Sequence, residues 1–204
     1  MEGTLMNCKK YFLSFLTLLM VCGLMSGCTD KEKKEDEKMV DVLRCMPKDA
    51  DVDETLAGNI IDFVVADDGI TAEKIIYQEE FTEEFMKKWM PEEMTLDESY
   101  EMLETNAYNI LYKHLHGHED EAWIDGNVYT DREHYHIVMT IMFDVGNEDF
   151  EVNEKNMETL SYYRFNLFYN EDEKRFEANA DLLKEMNQNL WDCSMIEVKS
   201  NKKS

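Results

Sequence analysis

Basic residues are scarce in this chain: 21 Lys and Arg stand against 45 Asp and Glu in 204 residues, a formal charge of −24 with a pI near 4.4. A surface of that sign repels phosphate backbones, which excludes general nucleic-acid binding. Proline (2) and glycine (8) are equally sparse, so collagen-like, elastic and loop-dominated architectures are excluded. There is no G-x-S-x-G elbow, no Gly-rich phosphate loop, no H-E-x-x-H and no C-x-x-C. No twelve-residue calcium loop has its ligands at the required spacing. The chain therefore carries no nucleophile or cofactor motif; no cofactor is expected, and a non-catalytic role is favoured. What is present is 44% hydrophobic and 11% aromatic, enough for one packed domain plus an appendage.

The appendage is N-terminal. Lys9 and Lys10 precede an apolar run over residues 11–24 (YFLSFLTLLMVCGL), and Met25, Ser26, Gly27 and Cys28 follow. Fourteen residues span about 21 Å as a helix, short of the roughly 30 Å hydrocarbon core. The length suits the apolar region of a secretory signal. Small residues directly before a cysteine are what a lipoprotein signal peptidase requires, and the segment resembles the lipobox of bacterial lipoproteins. Met25 stands where Leu is commonest. The resemblance implies cleavage between Gly27 and Cys28 and a diacylglycerol on the Cys28 sulfur. It also implies acylation of the new amino terminus and a membrane anchor on the extracytoplasmic face. Two acyl chains hold where one is marginal. Residues 28–38, a mixed run of Lys, Asp and Glu, read as a solvated tether, or alternatively as a regular helix. Removal of residues 1–27 leaves 19 basic and 44 acidic side chains, −25. That charge favours a basic protein partner, with a small molecule as the other expected class of ligand.

Residues 39–204 read as a single α+β domain, with N-terminal helices on one face of an antiparallel sheet of about four strands and a short C-terminal helix. Met39, Val42, Leu43 and Met46 have helical spacing, stopped by Pro47. Asp51 or Asp53 can cap a second helix burying Val52, Leu56, Ile60, Phe63 and Val64. A third segment from Thr71 carries Ile75, Ile76, Phe81, Phe85 and Trp89, with a break near Phe81–Thr82. Thr95 and Glu98 form a capping box for a helix burying Leu96, Tyr100, Leu103, Ala107, Ile110, Leu111 and Leu115. Alternation over residues 134–145 marks a strand, with 122–130 as its hairpin partner and a turn at 131–133. Residues 160–169 and 175–180 read as further strands about a turn at 170–173. A helix at 182–191 and a polar tail follow. The element order loosely resembles the cystatin-like and nuclear transport factor two-like folds, which host unrelated functions.

Histidines supply the sharpest site candidates: His114, His116 and His118 in HLHGH, then His134 and His136 in HYH. Alternating histidines on a strand can share a metal, so His134 and His136 are the candidate ligands, with Asp144 beside them at the mouth of a pocket between helices and sheet. Surface histidines are the plainer alternative. The two groups cannot converge on one ion, because about ten residues of strand, roughly 34 Å, separate them. Of five cysteines, Cys8 and Cys22 leave with the signal and Cys28 takes lipid. Cys45 and Cys193 remain, as a disulfide or as two separate buried thiols. The function expected is a lipid-anchored binding protein outside the cell; the alternative is an enzyme or metal-binding module of the envelope using His134 and His136.

Overall fold

β-branched residues decide the N-terminal half. The structure, a computed structural model, describes residues 38–47, 59–186 and 191–200, which fall within one unit. Three strands stand where helices were expected: β1 (Lys38–Pro47), β2 (Asn59–Val65) and β3 (Ala72–Phe81). Four of the seven residues in β2 are Ile or Val, which lose side-chain freedom in a helix and pack well on a pleated surface. In β1, the adjacent Val42 and Leu43 point to opposite faces and both are buried. A strand buried on both sides loses its period of two, so its apolar residues can fall at helical spacing by accident. Asp51, Val52, Asp53 and Leu56 lie outside the described residues, as does the lipobox with Cys28 and the tether up to residue 37.

The middle of the chain follows local chemistry. Thr82 accepts the Phe85 amide proton (3.2 Å) and so caps α1 (Glu83–Trp89) at the expected break. The capping box opens α2 (Leu96–Leu115): Thr95 N donates to Glu98 Oε2 (2.8 Å), and Glu98 N to Thr95 Oγ1 (3.3 Å). Gly117, with φ 89°, releases the chain beyond its end. The hairpin of β4 (Ile124–Asp131) and β5 (His136–Phe143) turns on Asp131, whose Oδ1 accepts amide protons from Glu133 and His134.

The C-terminal third departs from expectation. Residues 160–168 are no strand; Asn153 caps α3 (Glu154–Ser161), and a 3-10 turn follows (Phe165–Phe168). The apparent alternation of Tyr163, Phe165, Leu167 and Tyr169 breaks, because Leu167 is exposed and Phe168 is buried. Only the two-residue strands β6 (Tyr169–Asn170) and β7 (Arg175–Phe176) flank the expected turn. Asn179 accepts the Leu182 amide proton at the start of α4 (Ala180–Met186), shorter than expected. The expected polar tail is β8 (Trp191–Ser200), which pairs with β1 along its whole length.

The class is α+β, with six antiparallel strands rather than about four, in the order β4-β5-β3-β2-β1-β8. One face of this sheet carries the helices and two apolar clusters. The larger unites Leu43, Cys45, Ile61, Phe63 and Ile75 with Phe165, Phe168, Leu183 and Trp191. The smaller packs Phe81, Ile137 and Met139 beneath Met86, Tyr100, Leu103 and Ala107. α2 presses so closely on β4 that a Cβ at Gly126 would collide with Leu111. The opposite face has charge at its centre: Arg44 donates through Nε and Nη2 to both carboxylate oxygens of its cross-strand neighbour Asp62, at 2.8 and 2.7 Å.

Candidate functional site

The larger cluster is incompletely filled. A cavity of about 120 Å³ lies where β2, β3 and β8 meet the segment joining α3 to the 3-10 turn, with α4 beside it. Ile61, Tyr77 and Trp191 belong to its sheet side, and Tyr163, Arg164 and Phe165 to the connecting segment. Trp191 is 2% exposed, yet its indole Nε1–H has no acceptor among the described residues, and the buried Tyr163 hydroxyl has no partner among them either. A buried polar group left unpaired costs about 1–3 kcal/mol, so two such groups on one cavity are an expensive arrangement for packing alone.

Arg164 adds to that cost. Its φ of 62° places it in the left-handed region, where a side chain with a Cβ is uncommon. The chain has twice as many acids as bases, and the other arginines among the described residues pair accordingly. Arg44 holds Asp62, Arg132 holds Glu101, and Arg175 holds Asp68 and Glu177. Arg164 has no salt bridge among the described residues.

Titratable groups crowd the same region. Glu79 sits on the helix face of β3, two residues from Tyr77 and opposite Asn59 of β2. Burial pushes its carboxyl up to about 6. The rings of Tyr77 and Tyr163 meet at a tilt, 4.5 Å between centroids, and burial raises both phenols well above their ordinary range. His114, 5% exposed on α2, meets the rings of Tyr162 and Tyr163, and its Nε2 has no partner. Burial holds its pKa below the usual imidazole value, with the neighbouring Lys113 adding to the effect. A buried imidazole, a half-buried carboxyl group and a phenol unpartnered among the described residues thus share the seam between the two clusters.

The candidates named from sequence lie elsewhere. His134 is exposed and its Nδ1 meets Asp131 Oδ2 at 2.7 Å, within the β4–β5 turn. His136 reaches Glu80 at 2.7 Å on the sheet face away from the helices. Asp144 holds Lys74 at 2.5 Å. None of the three lines the cavity between helices and sheet, and among the described residues no group of three or more His, Cys, Asp or Glu is arranged to hold a metal. In the HLHGH group, His116 meets Glu119, whereas the buried His118 bridges Glu121 and Thr159. Glu121 also accepts from Lys155, which with His118 and the Trp123 indole holds its pKa near 2. Cys45 and Cys193 are register partners across β1 and β8; their sulfurs are bonded (2.12 Å), with Cα atoms 4.1 Å apart. The cavity residues were invisible to spacing, because Trp191 fell at the end of an expected helix and Tyr163 and Phe165 on an expected strand.

No family model matches the chain, and no curated protein is similar to it. Among solved structures, it is similar to an NMR structure of a protein from Streptococcus pneumoniae TIGR4. The TM-score is 0.43 at 14% identity, over 84% of this chain and 94% of that one. Among the described residues, no helix is long and apolar enough to cross a membrane.

Proposed function

We propose that the chain is a lipoprotein held by acyl chains on Cys28 at the extracytoplasmic face of a bacterial membrane, where it serves as a non-catalytic binding domain. The observation that carries this reading is the bond between Cys45 and Cys193. Such bonds form and persist outside the reducing cytosol. They accord with a chain whose first 28 residues have the order of a lipoprotein leader: lysines, apolar run, small residues, cysteine. The −25 charge of the portion after residue 27 repels anionic lipid, so the domain stands off the bilayer and receives basic surfaces.

The test is metabolic labelling with radioactive palmitate in a bacterial host, followed by fractionation. The full chain is expected to take up label and to sediment with membranes; Cys28→Ser is expected to lose both. Mass spectrometry of the labelled protein should give an N-terminal Cys28 carrying diacylglycerol. Label retained by Cys28→Ser, or an intact leader on the mature protein, overturns the reading.

A further inference from the structure

The cavity beneath α4 brings together two buried polar groups that have no hydrogen-bond partner among the described residues, the Trp191 indole and the Tyr163 hydroxyl. Trp191 Nε1–H can only donate, and it is buried without an acceptor. The Tyr163 hydroxyl is also unpartnered, and the exposed Arg164 brings a cation that has no salt bridge among the described residues. The remaining wall is largely apolar or aromatic, with Ile61, Tyr77 and Phe165, and the Asn59 amide is its other polar group. A ligand that completes this site must accept hydrogen bonds, carry negative charge toward Arg164, and bring a short apolar body. A cavity of about 150 Å³ holds benzene, so 120 Å³ suits a body of about four or five carbons. The geometry points to a binding site for a small branched-chain carboxylate, with its carboxylate on Arg164, Tyr163 and Trp191 and its hydrocarbon against Tyr77 and Phe165.

This deepens the reading of the chain as a binding protein and rests on it. It also accounts for two costly features together: the left-handed backbone at Arg164 and the idle donors around it. In a chain so rich in acid, an arginine with no carboxylate partner leaves room for one supplied from outside. The disulfide borders the site through sequence: Cys193 lies two residues beyond Trp191 on the same face of β8, so the bond to β1 fixes the tryptophan wall in place.

The experiment is calorimetric titration of the full chain, purified in detergent, with 3-methylbutanoate, its neutral amide and 3-methylbutylammonium. Saturable binding is expected for the carboxylate, weaker binding for the amide, and none for the ammonium. Arg164→Asn removes the charge while keeping a residue that tolerates the left-handed region. It is expected to weaken the carboxylate about tenfold and to move the amide by less than about twofold. Circular dichroism establishes that the variant is folded. Equal affinity for carboxylate and ammonium, no saturable carboxylate binding, or an Arg164→Asn variant with unchanged affinity overturns the assignment. The two proposals fail separately. A labelled, membrane-bound protein that ignores the carboxylate ends the ligand assignment alone; an unlabelled chain that binds it ends the anchoring alone.

Discussion

The two apolar clusters solve the same packing problem to different standards. Beneath α1 and the first half of α2, Ile137 and Met139 are fully buried, and no side-chain polar atom of that cluster lacks a partner. The cluster beneath α3, the 3-10 turn and α4 is larger and richer in aromatics, yet it borders a partly open cavity whose lining has Tyr163 and Trp191 without polar partners among the described residues and Arg164 in the left-handed region. A covalent bond, Cys45 to Cys193, borders it. The contrast teaches that incomplete filling, unpartnered polar groups and a cross-link coincide at one end of the sheet and not at the other.

The largest break in that contrast is removal of the bond. The loop it closes spans 148 residues, worth on the order of 5 kcal/mol in the chain-entropy model. A Cys45→Ala, Cys193→Ala variant is expected to lose most of that in denaturant titration. Hydrogen exchange should rise first in β8 and β1, before β5. Equal protection losses at both ends of the sheet would abolish the distinction.

A paired substitution sharpens it further. Ile137→Phe adds volume where there is none to spare and is expected to cost about 1–3 kcal/mol. Ile61→Phe adds the same atoms beside the cavity and should cost less than about 1 kcal/mol. Chemical denaturation of the two variants checks the ranking, and equal costs would mean that the cavity closes in solution.

The smallest effect falls at the seam. Burial raises the Glu79 carboxyl to about 6, above its ordinary 4.5. The folded state therefore holds a proton that the unfolded chain has released between those values. Stability declines as pH rises from 4.5 to 6, and the penalty persists above it. Glu79→Gln is expected to stabilise the fold by about 1 kcal/mol at pH 8 and by almost nothing at pH 4. Thermal melts at both values check the sign; a gain at pH 4 alone would reverse it.

Legibility in the sequence followed the same division. α2 was plain because its capping box and apolar stripe agree, and the β4–β5 hairpin because its alternation is half-buried and its turn holds Asp131. β1 and β2 were mistaken for helices because both of their faces meet apolar or paired neighbours. Val42 and Asp62 are buried on the face away from the helices, and Leu43 and Phe63 on the other. β8 was missed since its partner lies about 150 residues earlier, a distance over which no local pattern carries information. His134 and His136 lie away from the cavity, whereas His114 packs on Tyr163 beside it. His116 and His134 act locally through Glu119 and Asp131, while His118 also reaches Thr159 and His136 reaches Glu80 across the sheet. The cavity arises instead from Tyr163, Arg164 and Trp191, which only the tertiary fold brings together.

The ladder between β1 and β8 has a mechanical meaning. β1 lies inside the sheet, paired on both sides, with Lys38 opposite Ser200 at one end and Cys45 bonded to Cys193 near the other. Tension entering at residue 38 and running along the strand must shear many backbone rungs at once instead of unzipping them singly, and it then meets a covalent stop. A load borne at the start of this chain would reach the rest of the sheet before it could peel away the strand that receives it.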